Sequence, residues 1–306
     1  MTNKLQFAEN IDFSEILTNP ILDIAARFWD DDRYAAFRVC YRSMRIIDDL
    51  VDDRKATGEA LTDQEQTRYI AMLTDWLEAF KKGRADFPFV TELREIVDRF
   101  AMPTWPWERL ATAMIYDLSH TSFPSFRAFR RYTEGAAIAP ASVFMHLCGV
   151  RSESDRFRPP TFDICQAARP LALFSYLVHI IRDFEKDQKS NLNYYADSIL
   201  QSLDLTLSDL KTAATDGKIE PPLRRLIFTY RRFAEYYRQR ARIAVDTVAP
   251  LMPPRYALSL EIIYSLYLQI FERIDPEEGK FTTSELNPLP DEVKNRIEVT
   301  ISAFHS

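Results

Sequence analysis

Glycine is nearly absent from this sequence, at 6 of 306 residues, each isolated from the others. Strands and the tight turns that join them lean on glycine for positive backbone dihedrals, whereas long helices exclude it. Apolar residues recur at three- and four-residue intervals almost throughout, and the pattern breaks at prolines and short polar clusters. Together these features predict an all-α protein. Helices are expected near 20–29, 33–53, 63–82, 88–100, 106–120, 125–150, 161–189, 191–202, 206–215, 221–248, 254–274 and 290–304, with no convincing strand. No stretch resembles a linker, so residues 1–306 are read as a single domain.

Two acidic stretches stand against this helical background: Asp48-Asp49-Leu50-Val51-Asp52-Asp53 and Arg182-Asp183-Phe184-Glu185-Lys186-Asp187. Carboxylates four residues apart share a helix face, as do Asp48 with Asp52, Asp49 with Asp53, and Asp183 with Asp187. With 45 acids in the chain, chance supplies about six or seven such pairs, so one pair means little. Four acids within six positions is rarer, on the order of 0.1–0.2 expected occurrences. Each motif also falls near the C-terminal end of a long predicted helix, where the helix dipole disfavours anions. Acids kept against both preferences point to a cation between them, and Mg²⁺, with its demand for hard oxygen ligands and its association with phosphates, is the natural candidate. If so, Asp48→Asn and Asp183→Asn should each abolish turnover while relieving repulsion, with stability near normal or raised. Asp30-Asp31-Asp32 is equally acidic but precedes a fresh apolar pattern, and reads as helix-capping charge.

A net charge of −6 and the lack of an extended basic stripe argue against nucleic acid as a partner. The arginines at 224, 225, 231, 232, 238, 240 and 242 read as one solvated helix face. Cys40, Cys148 and Cys165 have no metal-site spacing and read as small buried residues of a reducing compartment. Met1 to Asp12 is too polar for a signal peptide, and the longest apolar stretch, Pro170 to Ile181, falls short of the ~20 residues that span a bilayer. The expected location is cytoplasmic, at most peripheral to a membrane. The 21 Phe, 14 Tyr and 4 Trp could line a large core or a large apolar cavity.

The motifs resemble those of the squalene/phytoene synthase family, head-to-head prenyltransferases of the class I isoprenoid synthase fold. Tyr41, Arg45, Asp48, Asp49 and Asp52 match its first signature, and Arg182, Asp183 and Asp187 its second. Met102-Pro103, Asp117-Leu118 leading to Tyr132, and Tyr267-Leu268-Gln269-Ile270-Phe271-Glu272 are similar to intervening and closing elements. The resemblance covers about residues 20–275, leaving a C-terminal extension of about 276–306. It implies a helical bundle enclosing a central apolar cavity. Asp48, Asp52, Asp183 and Asp187 would hold Mg²⁺ (or Mn²⁺), while Tyr41, Arg45, Asp49 and Arg182 would serve the chemistry. Tyr132, Tyr176, His179 and Tyr267 would contact substrate, and Tyr41, Tyr132 and Phe37 could shelter a carbocation. NADPH would be needed only for a squalene product.

The sequence departs from the family pattern at three places. Tyr176 and His179 replace a Gln and a metal-binding Asn. Thr18-Asn19-Pro20-Ile21 replaces a Ser-rich diphosphate contact. Asp275-Pro276-Glu277-Glu278-Gly279-Lys280 replaces a basic segment, leaving only Lys280 to supply charge. His179 could hydrogen-bond diphosphate as a cation, pack in the core, or ligate metal, although imidazole suits Mg²⁺ poorly. The implied activity is Mg²⁺-dependent joining of two farnesyl or geranylgeranyl diphosphates to a squalene-, dehydrosqualene- or phytoene-type product. The alternatives are an enzyme acting on one prenyl or presqualene diphosphate, and a silent family member serving in assembly or lipid binding.

Overall fold

The computed structural model describes residues 8, 11, 13, 16–84, 89–154 and 156–305, and the chain is almost wholly helical. Most of Met1 to Asp12 lies outside the described residues. In order, the helices are α1 (Ile21–Ala26), α2 (Asp31–Ala56), α3 (Asp63–Lys82), α4 (Val90–Arg99), α5 (Trp105–Ser119), α6 (Phe126–Thr133) and α7 (Ala139–Gly149). There follow α8 (Ile164–Arg182), α9 (Phe184–Lys189), α10 (Asp197–Ser202), α11 (Leu207–Asp216), α12 (Pro221–Val248), α13 (Pro254–Arg273), α14 (Thr283–Leu286) and α15 (Pro290–His305). One hairpin, β1 (Arg151–Glu153) with β2 (Arg156–Arg158), departs from the strandless expectation; its three-residue strands are too short to show alternation.

Local chemistry explains the helix ends. Asp30 caps α2 by accepting from the Arg33 amide at 3.0 Å, the role expected of the Asp30–Asp32 run. Thr62 with Glu65, and Thr206 with Asp209, form capping boxes at the starts of α3 and α11. The buried Arg33 then reaches across the molecule, donating to the Leu147 and Val150 carbonyls at 2.8 Å, and so ties the start of α2 to buried carbonyls at the end of α7.

Two helices expected to be continuous are interrupted. Between α6 and α7 the chain forms a π turn, Glu134–Ile138. Gly135 lies there so close to α5 that a Cβ would stand 2.1 Å from the Arg109 carbonyl oxygen. The expected helix 161–189 breaks at Asp183, whose dihedrals of −93° and 11° leave the helical region, so α9 begins anew. The expected helix 191–202 forms only from Asp197 onward.

Helix α8 lies at the centre, packed along α12 and against α7 and α13. It is the one helix among the described residues long and apolar enough to cross a membrane, longer than the Pro170–Ile181 stretch suggested. However, 61% of its apolar window is buried by neighbours, the environment of a core helix. Cys40 and Cys148 are buried as expected, while Cys165 is partly exposed. The α12 arginines are not one solvated face. Arg224 and Arg231 donate to the carbonyls of Gly279 and Ile274 at 3.0 Å, and Arg242 pairs with Glu261 of α13 at 2.6 Å. The segment after Asp275 closes the bundle: α15 packs on α13, and Phe281, Leu286 and Ile297 are fully buried.

The contact at Gly135 yields a direct test. Gly135→Ala forces the π turn and α5 apart and should cost about 2 kcal/mol or more, read as a melting midpoint lowered by roughly 5 °C. An unchanged midpoint would mean that the two backbones are not held together there.

Candidate active site

A cavity of about 880 Å³ opens between the helices, at the upper end of the size of small-molecule sites. Its apolar lining includes Leu110, Phe144, Leu171, Leu260 and Ile263, from α5, α7, α8 and α13. Its charged lining comes from two places, the C-terminal half of α2 (Arg45, Asp48, Asp52) and the junction of α8 with α9 (Arg182, Asp183, Lys186, Asp187). The ends of these segments are joined: Asn191, just past α9, donates to the Ala56 carbonyl at 3.4 Å and lies against Gly58, whose φ is +72°.

On α2, Tyr41, Asp48 and Asp52 line the cavity, while Asp49 does not. Asp49 instead shares Arg45 with Asp48, which receives Arg45 Nη1 at 2.6 Å. One further turn along α2, Lys55 donates to Asp117 of α5 at 2.6 Å. Asp117 is buried, and its second oxygen has no partner among the described residues. Burial raises the pKa of both Asp48 and Asp52. The neighbouring Asp49 and Asp117 charges push Asp48 further, and those of Asp48 and Asp117 do the same to Asp52.

The second motif divides its two acids between different roles. Asp183 is buried and receives Arg182 through both oxygens, Nε at 2.6 Å and Nη2 at 2.9 Å, with His179 Nε2 at 3.0 Å from Oδ2. Although burial opposes it, these bonds hold its pKa far below the ordinary carboxylate range. Asp187, with no such partner, is pushed up to about 8 by burial and by the charges of Asp183 and Asp52. Because Asp52 belongs to the first motif, the two motifs face each other across the cavity. Burial and Arg182 keep the His179 pKa below its usual value, so this histidine is neutral at neutral pH.

Phenols fill the remaining polar lining. Tyr132, Tyr176, Tyr194 and Tyr267 all line the cavity, and burial raises the pKa of each, so they stay protonated donors. Tyr41 stacks on Phe37 at 5.5 Å, but Phe37 is buried outside the cavity and serves core packing rather than the sheltering role expected of it.

A sequence profile described as squalene/phytoene synthase matches residues 24–293. The chain belongs to the squalene/phytoene synthase family. It is therefore an enzyme of the prenyltransferase type, and the family's reaction class is head-to-head condensation of prenyl diphosphates. Solved structures that share the fold include the following three. A dehydrosqualene synthase in complex with ligand superposes with a TM-score of 0.70 at 16% identity, covering 98% of this chain and 96% of that one. Squalene synthase HpnC from Alicyclobacillus acidocaldarius gives 0.54 at 16% identity, with 78% and 93% covered. YisP from Bacillus subtilis subsp. subtilis strain 168 gives 0.53 at 15% identity, with 88% and 99% covered. No curated protein matches. The expected all-α isoprenoid synthase bundle is the fold observed.

Within this family site, every residue expected to act lines the cavity except Phe37, which packs in the core, and Asp49, which braces Arg45 from outside it. Thr18 to Ile21 line it as well, whereas Lys280 is exposed and does not, so the cations present are Arg45, Arg182 and Lys186. Sequence reasoning gave no role to Lys55, Asp117, Lys186 or Tyr194. Lys55 lies seven residues beyond Asp48 on the same helical face, and Lys186 sits inside the second motif, so both carried a usable signal.

The donor set fits Mg²⁺. No three His, Cys, Asp or Glu side chains among the described residues converge into a ready-made cage, and Mg²⁺ asks for none, binding through one or two carboxylates, water and substrate phosphates. Asp48, Asp52 and Asp187, held together with raised pKa values, are the residues that would take it.

The two acids of the second motif should respond oppositely to removal, which corrects the uniform expectation from sequence. A folded-state pKa of about 8 for Asp187 lies above its unfolded value, so its charge destabilises the metal-free fold increasingly as pH rises from about 4 to 8. In EDTA, Asp187→Asn should therefore melt a few degrees above wild type at pH 8, and the gain should vanish near pH 4. The lowered pKa of Asp183 gives stability that is present above the unfolded value and lost in acid. Asp183→Asn leaves Arg182 unpaired and should cost about 2–4 kcal/mol at pH 7. Melting curves of both variants across pH 4–8 check the pair, and shifts of the same sign would refute the division.

Proposed function

We propose that the protein joins two prenyl diphosphates, farnesyl or geranylgeranyl, head to head in a Mg²⁺-dependent reaction, giving a squalene-, dehydrosqualene- or phytoene-type product. The observation that carries this reading is the confrontation of Asp52 with Asp187 on a cavity whose remaining wall is largely apolar. A buried acid whose pKa is raised by an acid of the other motif favours a divalent cation, and the apolar wall suits a hydrocarbon tail.

Each group has work consistent with that chemistry. Mg²⁺ held by Asp48, Asp52 and Asp187 would supply positive charge to the departing diphosphate. Arg182, Lys186 and Arg45 would bind the same anion, and the neutral phenols of Tyr176 and Tyr194 would donate hydrogen bonds to it. The apolar lining excludes water that would quench an allylic cation, while the ring faces of Tyr41 and Tyr132 favour positive charge beside them. A squalene product would in addition need a hydride from NADPH.

The test is incubation with each prenyl diphosphate, with and without Mg²⁺, followed by diphosphate assay and lipid extraction. Diphosphate release with a hydrocarbon of doubled carbon number, abolished by EDTA, is expected. A product from a single prenyl chain would favour the one-substrate alternative, and no release from either substrate would remove the proposal.

A further inference from the structure

The group formed by His179, Arg182 and Asp183 is closed on itself. Arg182 donates from Nε and Nη2 to the two oxygens of Asp183 at 2.6 and 2.9 Å. Arg182 Nη2 also donates to His179 Nδ1 at 2.9 Å, and His179 Nε2 lies 3.0 Å from Asp183 Oδ2. Nδ1 is thus an acceptor and Nε2 a donor, which is the arrangement of a neutral imidazole. Both ring nitrogens and both carboxylate oxygens are used within the group.

Position separates the three members. Asp183 is only 6% exposed, whereas Arg182 and His179 lie partly exposed on the cavity. Arg182 Nη1 has no partner among the described residues, so two N–H donors are left for something else. A carboxylate that already accepts an arginine fork and an imidazole N–H has little lone-pair capacity for a cation, and any cation there would lie against the guanidinium. Asp187 lines the same cavity and is as buried as Asp183, but it has no ion pair to a base among the described residues.

We propose that His179 and Asp183 are positioning residues that fix Arg182 as a metal-independent subsite for one diphosphate group, leaving Asp187 as the only metal ligand of the second motif. The inference rests on the prenyl diphosphate reading above and assigns this half of the site its chemistry. The first motif and Asp187 recruit the cation, and the closed triad presents a guanidinium already oriented toward the anion.

Inorganic diphosphate is the probe, measured by calorimetry on the full chain in EDTA. Wild type should bind it, and Arg182→Gln should weaken binding at least tenfold. His179→Leu, which removes both imidazole bonds yet keeps both charges, should weaken it about tenfold, the loss expected for one charge-assisted hydrogen bond. His179→Gln, which retains a donor toward Asp183, should recover most of the affinity, whereas a merely structural role for His179 would change melting and not affinity. With Mn²⁺ and diphosphate together, equilibrium dialysis should count the same number of ions in Asp183→Asn as in wild type, and one fewer in Asp187→Asn. Loss of an ion from Asp183→Asn, or EDTA binding indifferent to His179→Leu, would overturn the proposal. Should Asp183→Asn fail to fold by circular dichroism, the His179 pair decides. Failure of the broader reading looks different, as absent turnover of both prenyl diphosphates beside intact metal-free binding of the probe.

Discussion

The repulsion between Asp52 and Asp187 across the cavity is the constraint that the surrounding structure must withstand. Burial and neighbouring acids raise the pKa of both groups, Asp187 to about 8, so the metal-free fold holds the repulsion down by keeping protons on them near neutral pH. The helices that carry them are anchored by contacts of their own. Arg33 ties the start of α2 to the end of α7, α8 is enclosed by α7, α12 and α13, and Asn191 holds the chain after α9 to the end of α2. Apolar burial over the whole bundle offsets a local conflict that no contact at the site itself resolves.

Much of this was legible in the sequence because the signals were periodic. The scarcity of glycine and the three- and four-residue apolar spacing announced helices, and the spacing of Asp48 with Asp52 placed both on the face that turns inward. Spacing could not say which face that was. Asp49 and Asp53 are related by the same interval, yet neither lines the cavity, because the face is chosen by packing against α5 and α7. The two helix breaks were hidden for a similar reason. Gly135 looks like any helical glycine until α5 is set against it, and nothing local distinguishes Asp183 from the residues before it.

The charges of the site show a further order that spacing does not reveal. Arg45 is held by Asp48 and Asp49, Lys55 by Asp117, and Arg182 by Asp183. Asp52 and Asp187, which come from the two different motifs, form no ion pair among the described residues, which leaves them open to a cation.

On the proposed reading, that arrangement would make metal and anion binding interdependent. A divalent cation entering alone must displace protons from carboxylates whose pKa values are raised, and a site without a preformed cage leaves most of its coordination to water. A diphosphate entering alone meets Arg182 but also the negative field of Asp48, Asp52 and Asp187. Bound together, a cation would neutralise the acids and the anion would supply it further oxygen ligands, so each would raise the affinity of the other by the same factor. The closed triad then matters because it gives the anion one contact that does not wait for the metal, and so gives the paired binding a place to begin.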